Sequence, residues 1–326
     1  MSAQAPMVSV LIPSYNHARF LAKRIESILS QTYTDFELIV IDDHSPDESD
    51  EIIRRYTDLP FVTYIRNEIN SGTPFAAWEK GSRMAKGKYI WLCESDDFAE
   101  RDFLRIGVEA LEGNQNCVLF YCNSHVVDAD SRVIGNSSEY FDGIWRDTRW
   151  KQPFVANGLQ ELRDYQIRGQ TVPNMSSSLI RRDAFIQAYT KYLKKYKLTG
   201  DWLFIGLVMQ YGDVVFDPRS LSNFRKHENT ARVRVKSDRS QAEYILTKYY
   251  LHCVLRRKNR ELLSLLNADV TRHIYEDAGG LDVIKYMLRI STLQTFSLAA
   301  KLALQILPHP GYLKKYISRK RELRKS

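Results

Sequence analysis

Cysteine is scarce in this chain of 326 residues: there are four, Cys93, Cys117, Cys122 and Cys253. No spacing among them makes a metal-ligand set, and they form no disulfide framework. Cys117 and Cys122 are close in sequence, but no second Cys/His pair completes a zinc site. Three of the four fall in apolar strand-like runs, which reads them as small buried hydrophobes in a chain suited to a reducing compartment. No basic segment followed by an apolar stretch opens the sequence, so no signal peptide is expected. No window offers ~18 uninterrupted apolar residues, so no transmembrane helix is expected either. The expected location is cytoplasmic, and the sequons Asn136-Ser137-Ser138 and Asn174-Met175-Ser176 are then chance.

Several chemical signatures are also missing. No G-x-G-x-x-G follows the first strand pattern, which disfavours a dinucleotide-binding site. Gly81 to Lys88 imitates a phosphate-binding loop, but its spacing fails, Tyr89 stands where Ser or Thr is needed, and it precedes a strand. No nucleophile elbow supports a hydrolase triad. What remains is a globular composition, with 44% hydrophobic and 12% aromatic residues, enough for a sizeable core in one large domain or two of ordinary size.

The first third alternates strand and helix patterns. Val8–Ile12 is predicted as a strand. Leu21, Ile25, Ile28 and Leu29 then give a helical apolar face. Phe36–Ile41 is a near-continuous apolar run, as in a parallel strand buried on both faces. Ser45-Pro46-Asp47-Glu48 predicts a capping box with Pro at the first helical position, opening a helix carried by Ile52, Ile53 and Tyr56. Phe61–Ile65 is a third strand, Thr73-Pro74 starts a helix bearing Trp78, and Tyr89–Cys93 is a fourth strand. Phe103 to Leu111 forms a helix and Cys117–Cys122 a fifth strand. This alternation predicts a mostly parallel α/β sheet flanked by helices. The loops Pro13–Asn16, Asp42–Ser45, Asn67–Gly72 and Glu94–Asp97 should therefore line one crevice at one sheet edge.

Glu94-Ser95-Asp96-Asp97 is the most telling of these loops. Three carboxylates in four positions repel one another unless a cation sits among them, and a hard divalent ion is the usual candidate. The end of a strand is also where open α/β sheets bind ligands. Of Asp42 and Asp43, one acid suffices to organise a turn. A second suggests ligand contact. Asn67, Asn70 and Gly72 read equally well as turn residues.

Further on, Asp128–Ser131 predicts a hairpin, and 136–170 a long irregular segment of the kind that is often functional. Leu203 and Leu207 mark a helix after Gly200-Asp201. Val214–Phe216 and Leu221–Phe224 read as two strands. A boundary is expected near 235, followed by a helical region broken by Pro308 and Pro310. Net charge is +8, and Lys314, Lys315, Arg319, Lys320, Arg321, Arg324 and Lys325 crowd the end of the chain. A solvated tail and attraction to anionic lipid or polyphosphate both fit that run. Leu281–Leu307 is apolar with interspersed Lys285, Arg289 and Lys301. It reads as core, as a homodimer surface or, with the basic run behind it, as a peripheral membrane contact.

In order and spacing, five stretches resemble the family 2 glycosyltransferases of the GT-A fold, the type that builds bacterial cell-surface polysaccharides. They are Val8–Asn16, Ser27–Tyr33, Phe36–Ser45, Glu94–Asp97 and Gly200–Trp202, within 7–230. The resemblance implies a GT-A domain over 1–235, with a nucleotide-sugar-binding half at 7–123 and an acceptor and catalytic half at 124–235. A helical, basic region then occupies 236–326. It implies that Pro13, Tyr15, Asp42 and Asp43 serve the nucleotide side, with Asp96 toward the ribose or metal. Asp97 is implied as the direct ligand of Mn²⁺ or Mg²⁺. Glu94 stands where many members have Asp. Asp201 matches the general base, and Arg225 and His227 match a closing motif near the diphosphate, His227 as a metal ligand.

The implied reaction is metal-dependent transfer, with inversion, from a nucleoside-diphosphate sugar (UDP the expected nucleotide) to a hydroxyl of a glycan or lipid-linked acceptor. No nucleic-acid partner is expected. The alternatives are a non-catalytic nucleotide-sugar scaffold using the same pocket, or a sugar nucleotidyltransferase. The latter would carry a Gly-rich basic loop after strand one, where this chain has Pro13-Ser14-Tyr15-Asn16-His17.

Overall fold

A computed structural model describes residues 5–228, 237–255 and 287. By compactness the chain divides into two units. One comprises Met1–Thr190 with Phe204–Glu228, the other Lys191–Leu203 with Asn229–Ser326.

The first unit is a mixed ten-stranded sheet flanked by helices. Strands β1 (Val8–Ser14), β2 (Phe36–Asp42), β3 (Val62–Arg66) and β4 (Tyr89–Leu92) are mutually parallel, in the order β3-β2-β1-β4. Between them run α1 (Ala18–Leu29), α2 (Ser49–Arg54) and α3 (Pro74–Met84). β1, β2 and β4 are buried on both faces, which is why they read as continuous apolar runs, whereas β3 is a half-exposed edge strand. Val8, Val10 and Ile12 of β1 join Leu38, Val40 and Trp91 in a core closed by Leu21, Ile25 and Ile28 of α1. On the opposite face Gly81 of α3 lies so close that an added Cβ would come within 3.2 Å of Leu11 and Ile41.

Beyond β4 the sheet departs from the parallel expectation. After the two-residue β5 (Phe98–Ala99) and α4 (Phe103–Gly113) comes β6 (Cys117–Val127), which turns back as β7 (Val133–Asn136) in the predicted hairpin. The segment expected to be irregular instead holds α5 (Ser137–Trp145), β8 (Phe154–Ala156) and α6 (Gly158–Glu161). Its order comes from aromatic packing that has no simple period. Phe141 stacks on Trp150 at 4.8 Å, and Tyr165 meets both Trp145 and Trp150 edge to face.

β9 (Ser178–Arg181) inserts antiparallel between β4 and β6, followed by α7 (Arg182–Ala188). The two strands expected near 214 and 221 are one, β10 (Asp213–Arg225), whose register slips between Asp217 and Ser222 around Pro218. Proline cannot donate to a ladder, so the break in apolar pattern is a bulge and not a strand end. Cys93, Cys117 and Cys122 are buried and Cys253 is exposed.

In the second unit Gly200 opens α8 (Gly200–Val208), whose later residues belong to the first unit, and α9 (Ser237–Val254) follows. Among the described residues no helix is long and apolar enough to cross a membrane. The basic run after Lys314 and, apart from Met287, the Leu281–Leu307 stretch lie outside the described residues.

Candidate functional site

The loops after β1, β2, β3 and β4 do share one edge, and they are stitched to one another by side chains. Asn16, at φ 57° in the left-handed region, turns the chain from β1 toward α1. Its amide donates to Ser45 Oγ at 3.0 Å, and the Ala18 amide to Asp47 Oδ2 at 2.8 Å.

The capping box does not form. α2 starts at Ser49, and Ser45 is already engaged elsewhere: its amide and hydroxyl both donate to the Asp42 carboxylate. Asp47 instead accepts from the Ser49 amide and hydroxyl, at 3.2 and 2.6 Å.

The adjacent carboxylates Asp42 and Asp43 divide their work. Asp42 is fully buried, with Arg66 Nε 3.5 Å away. Burial raises its pKa, and the bonds from Ser45 only partly oppose that. It holds the turn. Asp43 reaches to the next loop, accepting from Asn67 Nδ2 at 2.7 Å, the Ser71 amide at 3.0 Å and Ser71 Oγ at 2.7 Å. Asn67 thus has a definite place in the wall of the crevice. Tyr15 stands 42% exposed beside these loops, and Pro13 is half-buried at the end of β1.

The acidic cluster after β4 also splits. Asp97 is turned inward: Oδ1 accepts the Arg225 amide at 2.9 Å and Oδ2 accepts Asn174 Nδ2 at 2.6 Å. Burial, then the neighbouring charge of Asp96, pushes its pKa up to about 7. Asp96 faces two histidines. His227 Nε2 lies 3.0 Å from its Oδ2, and the His17 and His227 rings meet edge to face at 5.6 Å. Burial disfavours the Asp96 charge, but the His227 bond and the attraction of both imidazoles outweigh it, leaving the carboxyl below its usual range. Ser95 Oγ steadies His17 through Nδ1 at 2.8 Å.

One ligand atom each from His17, Asp96 and His227 lie within 4.8 Å of one another. Three ligand atoms each about 2.1 Å from one ion lie roughly 3.0–3.6 Å from one another. The three residues fit a divalent cation once their ligand atoms are drawn together to that spacing. Asp97, with both oxygens on protein donors, stands outside that set.

Arg225 is buried and does not reach outward. Its guanidinium donates to the carbonyls of Asp96 (2.8 Å), Asp128 (2.9 Å) and Ala129 (3.0 Å) and lies over the Phe20 ring at 4.6 Å. Burial lowers its pKa, with Asp97 and Asp96 opposing. It ties the β6–β7 turn to the acidic loop and sets the end of β10, two residues before His227.

Two contributors escaped the sequence reading. His17 gave a usable signal: a histidine in a strand-end loop whose neighbours were all polar. The run Asn174–Ser178 gave less. Asn174 joins Asp97 to Ser124 Oγ (2.8 Å), and Ser176 receives the Glu94 amide (3.0 Å) and Trp91 Nε1 (2.9 Å). Asn174 is buried, so its sequon is no acceptor in the folded chain.

In the second unit, Asp201 lies in the first turn of α8, and its Oδ1 accepts the Trp202 amide at 2.8 Å.

The family described as Glycosyl transferase family 2 matches residues 9–187, more than half of the chain. Chondroitin synthase of Escherichia coli is 31% identical over 134 residues, which is 41% of this chain but 19% of that protein. An uncharacterised glycosyltransferase of Rickettsia typhi is 28% identical over 225 residues, 69% of this chain and 65% of its own length. Among solved structures, S. aureus TarS 1-349 in complex with UDP superposes with a TM-score of 0.62 at 14% identity, covering 89% of this chain and 82% of that one. The mannosyltransferase PcManGT of Pyrobaculum calidifontis, in complex with GDP-Man and Mn²⁺, gives 0.56 at 13% identity over 97% of this chain and 84% of that one. Both share the fold.

Proposed function

The chain belongs to glycosyl transferase family 2 and is a glycosyltransferase; from this premise we propose a metal-dependent, inverting transfer of a sugar from a nucleoside-diphosphate sugar, UDP-linked, to a hydroxyl of a glycan or lipid-linked acceptor. The observation that carries the reading is the meeting of His17, Asp96 and His227 at the sheet edge where four strand-end loops converge. The structural neighbours that hold UDP, UDP-GlcNAc, and GDP-Man with Mn²⁺ support it.

The nucleotide base lies against Tyr15 and Pro13, in a pocket whose wall Asp43 fixes through Asn67 and Ser71. Asp42 acts through Ser45 on the shape of the turn. Asp96 and His227, with His17, would hold a divalent cation, and Arg225 acts by fixing the loops that carry them. A divalent ion bound there stabilises the charge that gathers on the departing diphosphate. Two imidazoles in the set favour Mn²⁺ over Mg²⁺, which prefers oxygen ligands and keeps its water.

Asp201 takes the proton of the attacking hydroxyl from the face opposite the leaving group, a contribution of roughly 10²–10⁴-fold, and attack from that face inverts the anomeric carbon. Asp201→Asn is expected to retain donor binding while turnover of a UDP- and GDP-sugar panel collapses by that factor. Full turnover in the variant would remove Asp201 from the role.

A further inference from the structure

The loop that presents Asp201 is held by a residue far outside the matched family region. Thr199 stands at the N-cap of α8, its carbonyl accepting the Leu203 amide at 3.1 Å. A helix start leaves amides without intrahelical partners, and a nearby Ser or Thr hydroxyl ordinarily serves them. Here the Thr199 hydroxyl is committed to Thr247 Oγ1 at 2.9 Å.

The segment that leads into α8 is gripped by Glu243 of α9, which is completely buried. Its Oε2 accepts the amides of Leu198 (2.7 Å) and Thr199 (3.1 Å). Its Oε1 accepts the Lys197 amide (2.9 Å) and Arg239 Nε (2.9 Å). Arg239 in turn donates to the Lys195 carbonyl at 2.8 Å. One carboxylate thus gathers three consecutive amides ending two residues before Asp201.

We infer that Glu243 is a positioning residue for the general base, clamping the 197–199 backbone so that the first turn of α8 presents Asp201 at a fixed point. This rests on the reading of Asp201 as base. A charged acceptor is suited to the task, because hydrogen bonds to a buried carboxylate are short and directional and resist loop drift. A displacement of about 1 Å at a reacting group costs on the order of 10²-fold in rate. The arrangement also gives α9 a part in catalysis: its Glu243 holds the backbone that enters the base-bearing helix.

The test uses the full chain and turnover of the UDP- and GDP-sugar panel with Mn²⁺. Glu243→Gln keeps the shape but turns one acceptor into a donor facing an amide. The expected result is a fall in kcat of about 10²-fold with donor KM and Mn²⁺ affinity unchanged, and partial recovery in Glu243→Asp. On an Asp201→Asn background the same change is expected to cost nothing further, the non-additivity of residues that act through one another. Thr247→Val, which removes the hydroxyl that meets Thr199 Oγ1, is the second variant should Glu243→Gln fail to fold, and a smaller drop in kcat alone is expected from it.

Wild-type kcat in Glu243→Gln, with Asp201→Asn inactive, would overturn the positioning role and leave the base assignment standing. Equal losses in kcat, donor KM and Mn²⁺ affinity would also overturn it, as the mark of a general structural defect. An active Asp201→Asn would instead remove the base assignment, and the inference with it.

Discussion

His227 Nε2 lies 3.0 Å from Asp96 Oδ2, whereas the adjacent Asp97 turns its two oxygens to the Arg225 amide and to Asn174. Neighbouring carboxylates in one motif therefore have separate fates, one offered to the crevice and one spent on tying β10 to the acidic loop. Asp96→Asn is expected to abolish Mn²⁺ binding while the thermal midpoint stays close to wild type. Asp97→Asn places an amide donor against a donor and is expected to cost about 1–3 kcal/mol of stability. Calorimetric Mn²⁺ titration and thermal denaturation of both variants separate the roles, and the reverse pattern would exchange them.

His17 is expected to contribute to metal choice. With two imidazoles in the set the wild type should bind Mn²⁺ more tightly than Mg²⁺. His17→Ala should weaken Mn²⁺ about 10–100-fold, the range seen when a metal site loses a supporting group, and narrow the preference. Titration of both ions into both proteins measures this. Unchanged Mn²⁺ affinity would place His17 outside the ligand set.

Legibility in the sequence followed periodicity. The parallel strands Val8–Ser14, Phe36–Asp42 and Tyr89–Leu92 are buried on both faces, so their apolar runs declared them, and the shared edge for their loops followed from topology. The capping box failed because Ser45 serves Asp42, a competition between two local hydrogen bonds that composition cannot rank. Helix α5 and its surroundings were unreadable because their order comes from Phe141, Trp145, Trp150 and Tyr165 packing on one another, contacts without a period. The division between Asp96 and Asp97 depends on Asn174 and His227, each more than seventy residues away, and no local pattern carries it.

Glu161 provides a test through pH. It is buried with Arg149 Nη1 2.8 Å away, and burial raises its pKa despite that partner. An acid with a raised folded pKa holds its proton in the native state after the unfolded chain has released it. Its contribution to stability is then greatest at low pH and declines as pH rises from the ordinary glutamate value through the raised one. The stability of wild type relative to Glu161→Gln should therefore fall over that window. Denaturant unfolding of both proteins across mildly acidic to neutral pH checks the slope, and a difference that rises with pH would contradict it.

Gly87 limits how β4 can be altered. A Cβ there would come within 2.5 Å of the Ser9 amide nitrogen and 2.6 Å of the Val8 carbonyl carbon, both backbone atoms that cannot swing away. Gly87→Ala is expected to destabilise by about 1–3 kcal/mol or more as β4 is forced from β1. Because β4 leads directly into Asp96, Mn²⁺ affinity should weaken in the same variant. Chemical denaturation with parallel Mn²⁺ titration tests both, and wild-type values would mean that the strand pair yields without loss.

The most direct measurement is the release of nucleotide from the UDP- and GDP-sugar panel by the full chain with Mn²⁺, repeated after chelation and again after Mn²⁺ is restored. Turnover of at least one UDP-sugar that disappears on chelation and returns with Mn²⁺ is the result expected of a metal-dependent glycosyltransferase built on His17, Asp96 and His227. Turnover indifferent to chelation, or tight UDP binding with no turnover of any donor, would contradict it.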